Sequence, residues 1–424
     1  MKLAVVGGGS TYTPELIEGL ARLQAVLPVD EVVLTDPAAD RLRLVGRLAR
    51  RMFAKAGHPG RVRTTTRLDE AADGADLVLL QLRVGGQQAR MVDETLPLRF
   101  CCIGQETTGA GGLAKALRTV PVVRDIAGRV AAKAAPDAWI IDFTNPVGIV
   151  TRALLDDGHR AVGLCNVAIG VQRMVARLMG VQPGRVTLDH LGLNHLTWVR
   201  AAYVDGQDVL PALITERGEE LEKHAGLPLE LLRRLGVLPS YYLRYFYAHD
   251  AVVAEQKAEP SRAEKVFTIE QKLLEMYADP TLDSKPALLE ERGGAYYSDA
   301  AVQLMVSLVD EERAEDVGAP QVVNVRNEGT MPFLPDRAVV EVPAMVDSWG
   351  ARPCKVGEID PLYAGLISHV SGYEELALEA AIRGGRERVF AALLAHPLIG
   401  QIEVAEKLTD ELLAANKQYL AWAR

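Results

Sequence analysis

The stretch AVVGGGSTYTPE, residues 4–15, decides the fold. A short apolar run ends in three consecutive glycines at positions 7–9, and a segment with Pro14 follows. Glycine permits a tight turn, and proline suits the first turn of a helix, for which Thr13 is the expected N-cap. The stretch therefore predicts a strand, a tight turn and a helix whose N-terminus can receive a phosphate group.

Strand-like apolar runs repeat over residues 1–180. They lie at Leu3–Val6, Val32–Leu34, Val62–Thr66, Leu77–Leu82, Trp139–Phe143 and Ala161–Leu164. Amphipathic stretches such as 41–56 and 113–133 separate them. Apolar strands that alternate with helices predict a parallel sheet covered on both faces, and right-handed crossovers make it a Rossmann-type doubly wound sheet.

The pattern changes after residue 180. Residues 185–206 predict one or two longer strands, 216–277 a helical region, and 322–326 with 338–342 a strand pair. The chain is mostly helical from about residue 363. We therefore expect an α/β protein in which a cofactor-binding Rossmann domain, residues 1–180, is fused to a mixed α+β lobe, residues 181–424. That lobe would carry substrate and oligomer contacts.

Composition excludes several classes of partner. The chain has 424 residues and a formal net charge of −9. An acidic surface does not suit nucleic acid or an anionic membrane. No apolar run reaches the ~18 residues of a membrane span, and the N-terminus reads as a strand rather than a signal peptide. With four cysteines at irregular spacing, a reduced cytoplasmic protein is expected.

Asp36 extends the cofactor prediction. It ends the second strand in EVVLTDP, where a carboxylate accepts hydrogen bonds from a ribose diol and repels a 2′-phosphate. A glycine turn alone also occurs in domains without a cofactor, and an aspartate alone can cap a helix. Together they predict NAD. The predicted contacts are Gly7, Gly8, Gly9, Ser10, Thr11 and Asp36.

Polar side chains also follow the later strands. Arg83, Asn145 and the pair Cys165–Asn166 each come directly after an apolar run, at the sheet edge where ligands bind. His195 interrupts the apolar stretch LGLNHLTW. Taken singly, a buried cysteine or histidine is more often a core residue than a metal ligand, and the spacing of these two matches no zinc-finger pattern.

Several longer motifs resemble glycoside hydrolase family 4, and most closely its 6-phospho-β-glucosidase branch. These motifs are GGGSTYTPEL, IGQETTGAGGLAKALRTVPV, DFTNPVGIVT, GLCNVAIG, LGLNHLTW and RGGAYYSDAA. The resemblance implies NAD, a divalent metal that is most often Mn²⁺, and an exception to the two-carboxylate mechanism of other glycosidases. It implies oxidation at C3 of the sugar, loss of the C2 proton, elimination of the C1 group, addition of water and return of the hydride.

The resemblance also assigns roles to residues. Cys165 and His195 match the metal ligands, and Tyr242 in PSYYLRYFY matches the C2 base, with Tyr241 as the alternative. A tyrosine base needs a lowered pKa, for which metal and cofactor charge are expected. Glu106 is expected to orient the base or a water. Further predicted contacts are Arg83 and Asn145 with the cofactor, and Arg90, Asn145, Asn166, Asn194 and Arg292 with the substrate.

Two positions bear on specificity. The α-directed members carry aspartate after the metal cysteine, whereas Asn166 cannot donate a proton as an acid, which implies β-linked phosphosugar substrates. Asp142 departs from the asparagine expected before FTNP.

Two other functions stay open. A 2-hydroxyacid dehydrogenase resembling lactate or malate dehydrogenase would share the fold, and an NAD-binding regulator would lack catalysis. The resemblance to family 4 further implies a homodimer or homotetramer.

Overall fold

A computed structural model describes residues 1–293, 296–309 and 320–423, so Gly294 and Ala295 of the RGGAYYSDAA motif lie outside the described residues. The strands of the described ranges are β1 (Lys2–Val6), β2 (Glu31–Thr35), β3 (Arg61–Thr65), β4 (Leu77–Leu80), β5 (Trp139–Asp142), β6 (Ala161–Gly163), β7 (Val186–Leu193), β8 (Leu196–Val204), β9 (Gln207–Asp208), β10 (Leu238–Pro239), β11 (Gln321–Arg326), β12 (Val339–Asp347) and β13 (Gly350–Pro353).

The α-helices of the same ranges are α1 (Thr13–Arg22), α2 (Ala39–Lys55), α3 (Leu68–Ala72), α4 (Gly86–Thr95), α5 (Ala110–Ala131), α6 (Val147–Asp156), α7 (Val167–Met179), α8 (Leu210–Glu216), α9 (Gly218–Ala225), α10 (Leu229–Leu235), α11 (Arg244–Tyr247), α12 (His249–Ala258), α13 (Arg262–Ala278), α14 (Leu288–Glu291), α15 (Tyr297–Val309), α16 (Pro361–Arg383), α17 (Arg386–Leu394) and α18 (Ile402–Asn416). In this part of the chain no helix combines the length and the apolar character that a membrane crossing requires.

The first half of the chain forms a parallel sheet in the order β3-β2-β1-β4-β5-β6. This is the strand order of a dinucleotide-binding Rossmann sheet, with its switch point between β1 and β4. Every residue of β2, β4 and β5 is buried, because helices cover both faces. The six predicted strands and the helices at 41–56 and 113–133 are confirmed, with small differences at their ends.

Strands from the second half extend the same sheet. β11 pairs antiparallel with β6, and β12 and β13 follow, so that nine strands of the described residues form one sheet. The predicted pair at 322–326 and 338–342 is confirmed as β11 and β12. The sheet therefore crosses the proposed boundary at residue 180, and the division into two domains stays a prediction.

A smaller antiparallel sheet is built on the hairpin of β7 and β8. The predicted strand region at 185–206 thus forms two strands, joined by the two-residue turn Asn194–His195. β7 also packs against β12 of the large sheet. The hairpin turn is thereby brought to the edge of the Rossmann sheet.

The prediction that Thr13 caps α1 is wrong. The helix begins at Thr13 itself, Tyr12 occupies the cap position, and no side chain bonds to the free N–H groups there. The Thr13 hydroxyl instead donates to the carbonyl of Gly8 at 3.1 Å and accepts from Gln81 Nε2 at 2.9 Å. Its bonding capacity is therefore used to hold the glycine turn against the sheet.

Candidate active site

Polar residues gather at the carboxyl end of the parallel strands. Gly7 follows β1, Asp36 follows β2, Arg83 lies just beyond β4, Asn145 beyond β5 and Cys165 beyond β6. Open parallel sheets bind their ligands at this edge. The structure thus places these five predicted site residues at the same edge of the sheet, where the parallel strands end.

The glycine turn after β1 lies too close to its neighbours for a side chain. Gly7 has a φ of +84°, and a Cβ there would lie 2.8 Å from the carbonyl oxygen of Gln81. A Cβ on Gly8 would lie 2.7 Å from Leu34 Cβ. Both glycines donate their N–H groups to the carbonyl of Thr35, at 3.0 and 2.9 Å. The predicted tight turn is confirmed, and packing alone already requires glycine at both positions.

Asp36 connects this turn to the end of β2. Its Oδ2 accepts from the N–H of Gly9 at 3.1 Å, and its Oδ1 accepts from the N–H of Ala38 at 2.9 Å. A carboxylate oxygen accepts more than one hydrogen bond. The half-buried side chain therefore keeps acceptor capacity for a vicinal diol, as the NAD prediction requires.

Glu270, a buried carboxylate of α13 in the second half of the chain, bonds to the segment that follows the glycine turn. It accepts from Thr11 Oγ1 at 3.2 Å and from Gln87 Nε2 at 3.0 Å. It also pairs with Arg41 at 3.4 Å and Arg292 at 3.0 Å. Burial raises the pKa of Glu270, but the two guanidinium groups outweigh it and keep the pKa below its usual value. Arg292, which is predicted to bind phosphate, thus lies beside the glycine turn.

The Cys165 sulfur is buried among hydrogen-bond donors. The backbone at Val167, the side chain of Asn194 and the backbone at Asn166 each act to lower the pKa of the thiol, as donors near the sulfur do. Burial raises the pKa of the thiol well above its ordinary value, and the Glu341 carboxylate raises it further. A bound divalent cation reverses this balance, because it coordinates the thiolate.

His195 lies in the hairpin turn with a strained backbone. Its φ is +62°, a left-handed conformation that costs a non-glycine residue about 1–2 kcal/mol. Its Nδ1 lies 2.8 Å from Thr107 Oγ1, which leaves Nε2 as the nitrogen available to a metal. Burial lowers the pKa of the imidazole to about 4, so the ring is neutral near pH 7, as a ligand must be.

Tyr242 lies near both predicted metal ligands. Its ring stacks on that of His195, with centroids 3.6 Å apart and planes at 7°. Burial raises the pKa of the phenol well above its ordinary value, the nearby Cys165 raises it further, and Arg90 opposes both. A base at Tyr242 therefore depends on added positive charge, which agrees with the expected need for metal and cofactor.

Tyr241 has a different environment from its neighbour. The residue is 43% exposed, and its hydroxyl accepts a hydrogen bond from Arg244 at 2.7 Å. The geometry therefore favours Tyr242 over Tyr241 as the tyrosine that faces the predicted ligands.

The donor set at Cys165 and His195 fits a divalent transition metal. Thiolate sulfur is a soft donor and imidazole nitrogen a borderline one, and divalent transition-metal ions accept both. Over residues 1–293, 296–309 and 320–423, no three His, Cys, Asp or Glu side chains converge to hold a metal. A metal on this pair would therefore complete its coordination with oxygen atoms of substrate or water.

Two asparagines border the pair. Asn145 Oδ1 is buried without a hydrogen-bond partner among the residues that the structure describes, which is costly for an acceptor and fits a hydroxyl group of a ligand. Asn166 is half-buried and occupies the N-cap position of α7, next to Cys165. Both amides thus follow adjacent strands, β5 and β6, at the carboxyl edge of the sheet.

Glu106 is buried in the QETTG loop among cations. Arg83 forms an ion pair with it, Lys115 Nζ lies 2.6 Å from Oε2, and Arg90 lies 3.4 Å from Oε1. Burial raises the pKa of Glu106, but the three cations hold it well below its usual range. Arg90 pairs in addition with Glu94 at 2.7 Å. These contacts favour a role for Glu106 in orienting the arginines.

The sequence motifs did not single out two buried charged residues of the site. Lys115 lies in α5, where burial and the neighbouring Arg83 lower its pKa to about 7. Glu341 lies in β12 and accepts a hydrogen bond from Asn194. The available signal is a charge within an apolar element, in GLAKAL for Lys115 and in AVVEVPA for Glu341.

Asp142 is fully buried at the end of β5. It accepts from the N–H of Thr144 at 2.9 Å and lies 3.0 Å from Thr151 Oγ1. Burial raises its pKa to about 8, so the carboxyl group is neutral at pH 7. A neutral carboxyl group offers a donor and an acceptor, as an asparagine side chain does. The departure from the expected asparagine therefore conserves the hydrogen bonding.

We expect Asp142→Asn to remove a pH dependence of stability. The folded-state pKa of about 8 lies above the ordinary value of 3.8, so the folded protein retains a proton that the unfolded chain loses. Wild-type stability then falls as pH rises from about 4 to about 8. Thermal unfolding should show the wild-type Tm falling about 5 °C more than the variant's between about pH 5 and pH 8. Equal changes in the two proteins would contradict the assignment.

Comparison with known proteins covers nearly the whole chain. The model of family 4 glycosyl hydrolases matches residues 2–181, and the model of the family 4 glycosyl hydrolase C-terminal domain matches residues 190–399. A probable 6-phospho-β-glucosidase of Bacillus subtilis (strain 168) is 39% identical over 435 residues, which cover 99% of this chain and 97% of the relative.

Solved structures share the architecture. The 6-phospho-β-glucosidase of Thermotoga maritima, solved with manganese, NAD⁺ and glucose-6-phosphate, has a TM-score of 0.88 and 32% identity, with 99% of each chain covered. A malate dehydrogenase of Salinibacter ruber has a TM-score of 0.53 and 15% identity over 90% of this chain and 98% of that one, which shows the fold alone. The predicted fold class is confirmed. With both family models matched along its length, the chain belongs to family 4 of the glycosyl hydrolases.

Proposed function

We propose that this protein hydrolyses 6-phospho-β-glucosides with NAD and a divalent metal, Mn²⁺ being the expected ion. The convergence of Cys165, His195 and Tyr242 at the ligand-binding edge of a Rossmann sheet carries the proposal. The Bacillus subtilis relative, aligned over almost its full length, supports the substrate class. The manganese, NAD⁺ and glucose-6-phosphate in the Thermotoga maritima structure support the ligand set.

The proposed roles follow from where each side chain lies. NAD supplies the hydride acceptor and the metal supplies a Lewis acid for the sugar oxygens. Cys165 and His195 hold the metal, and Tyr242, stacked on His195, removes the C2 proton. The buried Asn145 Oδ1 accepts a ligand hydroxyl group. The cofactor contacts are proposed at Gly7, Gly8, Gly9, Ser10, Thr11, Asp36, Arg83 and Asn145.

A group of arginines supports binding of the 6-phosphate. Burial lowers the pKa of Arg292, Glu270 raises it, and the nearby Arg83 and Arg90 lower it, which reflects mutual repulsion of the guanidinium groups. A phosphate dianion relieves such repulsion and accepts bidentate hydrogen bonds from arginine. We therefore retain Arg90 and Arg292 as the proposed phosphate ligands.

The β preference is assigned to Asn166, next to the metal cysteine. An amide cannot protonate the leaving group as a carboxylic acid does. The substrate is thus expected to depart with weaker acid assistance, and good leaving groups at C1 should react faster. A cytoplasmic location and a homodimeric or homotetrameric state belong to the same proposal.

Reconstitution tests the function. Protein treated with a chelator should be inactive on an aryl 6-phospho-β-glucoside and should regain turnover only when Mn²⁺ and NAD are both supplied. The aryl 6-phospho-α-glucoside and the unphosphorylated β-glucoside serve as controls and should react at least about 100-fold more slowly, since each lacks a feature that the site recognises. Absence of turnover on several β-linked aglycones with both supplied would refute the proposal.

The alternative function, a 2-hydroxyacid dehydrogenase, predicts a different fate of the cofactor. A 2-hydroxyacid dehydrogenase accumulates NADH with lactate or malate, whereas the proposed glycosidase returns the hydride in each cycle. Absorbance of NADH over many turnovers therefore separates the two. Sustained NADH formation with a hydroxyacid would favour the dehydrogenase.

A further inference from the structure

Glu341 is a buried carboxylate at the meeting of the two sheets. It lies on β12 with 1% of its surface exposed. Its Oε2 accepts from Asn194 Nδ2 at 2.8 Å and from Asn324 Nδ2 at 3.0 Å, and its Oε1 lies 3.1 Å from His190 Nε2. Because His190 and Asn194 belong to the small sheet and its turn, Glu341 fastens the β7–β8 hairpin to the large sheet.

The strand register places Glu341 in line with the end of β6. Glu341 is directly opposite Asn324 across β12 and β11, and Asn324 is opposite Gly163 across β11 and β6. Cys165 follows Gly163 by two positions in the chain. One row across the sheet therefore contains Glu341 and the strand end that presents Cys165.

Asn194 connects Glu341 with both predicted metal ligands. Its side-chain amide donates to Glu341, and the same side chain acts to lower the pKa of the Cys165 thiol, as a donor near the sulfur does. An amide nitrogen has two N–H groups, so one is left for the sulfur while the other bonds to Glu341. Asn194 also precedes His195 in the strained turn. Fixing this one amide thus orients the sulfur on one side and the imidazole on the other.

We propose that Glu341 is a positioning residue of the metal site, which orients Cys165 and His195 through Asn194 and balances the charge of the bound ion. This inference rests on the proposed function, which requires the metal. A thiolate and a neutral imidazole carry a single negative charge between them, whereas the ion carries two positive charges. Uncompensated charge is costly in a buried site, and Glu341 supplies the second negative charge.

Glu341→Gln tests the proposal because it removes the charge and keeps the shape. Mn²⁺ affinity, measured from the electron paramagnetic resonance signal of the free ion, should fall about 10–100-fold, as for other residues that support metal ligands. NAD affinity, measured separately, should stay within about 3-fold, because the cofactor turn does not contact Glu341. Saturating Mn²⁺ should restore much of kcat, which a merely structural defect would not allow.

Glu31→Gln is the matched control. Glu31 is a buried carboxylate at the start of β2, paired with Arg61 at 2.8 Å, at the end of the sheet opposite to the site. Its loss also removes one buried negative charge, but Mn²⁺ affinity should not change. A similar fall in both variants would overturn the specific role of Glu341.

The outcomes separate this inference from the proposed function. If the wild type binds Mn²⁺ and folded Glu341→Gln binds it equally well, the inference fails and the proposed function stands. If the wild type itself binds no Mn²⁺, the proposed function fails. Should Glu341→Gln not fold, Glu341→Asp replaces it, since it keeps the charge but withdraws the carboxylate from Asn194. Unchanged Mn²⁺ affinity in that variant would equally refute the proposal.

Discussion

Tyr242→Phe is expected to lower kcat on a 6-phospho-β-glucoside by about 10²–10⁴-fold, the usual cost of removing a positioned general base. The phenyl ring keeps the stack on His195, whose centroid lies 3.6 Å away, so metal binding should persist. Only the phenolic oxygen, which accepts the C2 proton when it is ionised, is lost. Steady-state kinetics with Mn²⁺ and NAD at saturation measures the effect, and Mn²⁺ titration shows that the site is intact.

Tyr241→Phe is the matched control for this prediction. It removes the same atom from the adjacent residue, whose hydroxyl is exposed and paired with Arg244. We expect kcat to change by less than about 3-fold, as for an exposed substitution away from the reacting atoms. If Tyr241→Phe were the inactive variant and Tyr242→Phe remained active, the proposed base would be wrong.

Cys165→Ser is expected to weaken Mn²⁺ binding severely and to lower kcat by about 10²–10³-fold, which matches the several kcal/mol that a Lewis acid contributes. Serine keeps the shape of cysteine, but its hydroxyl stays protonated and is a poor ligand beside the donors from Asn194 and Val167. Mn²⁺ titration and kinetics at increasing Mn²⁺ concentration measure both effects. NAD binding should persist, because the glycine turn follows β1 whereas Cys165 follows β6.

Cys354→Ser controls for the general loss of a thiol. Cys354 follows β13, the edge strand of the nine-stranded sheet, which is three strands away from β6, and is half-buried. Its replacement should leave Mn²⁺ affinity and kcat unchanged. Full activity in Cys165→Ser would show that the metal binds elsewhere, and would refute the ligand pair.

Sequence patterns predicted the Rossmann sheet because its signals are local. The apolar run that becomes β1, the three glycines and Pro14 lie within a dozen consecutive residues, and each strand is recognised from its own composition. The same rule failed at Thr13, where a local preference for capping a helix lost to tertiary hydrogen bonds with Gly8 and Gln81. Local propensity is overridden where the tertiary structure offers the side chain better partners.

Some residues of the candidate site were likewise predictable from local sequence, whereas others required the tertiary structure. Cys165 and His195 were recognisable as candidate metal ligands, because each is a polar interruption of an apolar run and the motifs around them resemble family 4. Which of Tyr241 and Tyr242 faces them was not, because neighbours in a short 3₁₀ turn point in different directions and only packing selects one. Lys115 and Glu341 likewise became recognisable as site residues only from the side chains that they contact, Glu106 and Asn194.

The sequence by itself therefore determined the strand–turn–helix order and the tight glycine turn, and it predicted Cys165 and His195 as metal ligands, since backbone conformation and chemical identity depend on nearby residues. The tertiary structure alone decided that Glu341 ties the hairpin of His195 to the strand end of Cys165. It also decided that burial makes Asp142 neutral. Hydrogen bonds between distant segments and exclusion from water arise only when the sheets pack, and no short stretch of sequence encodes them.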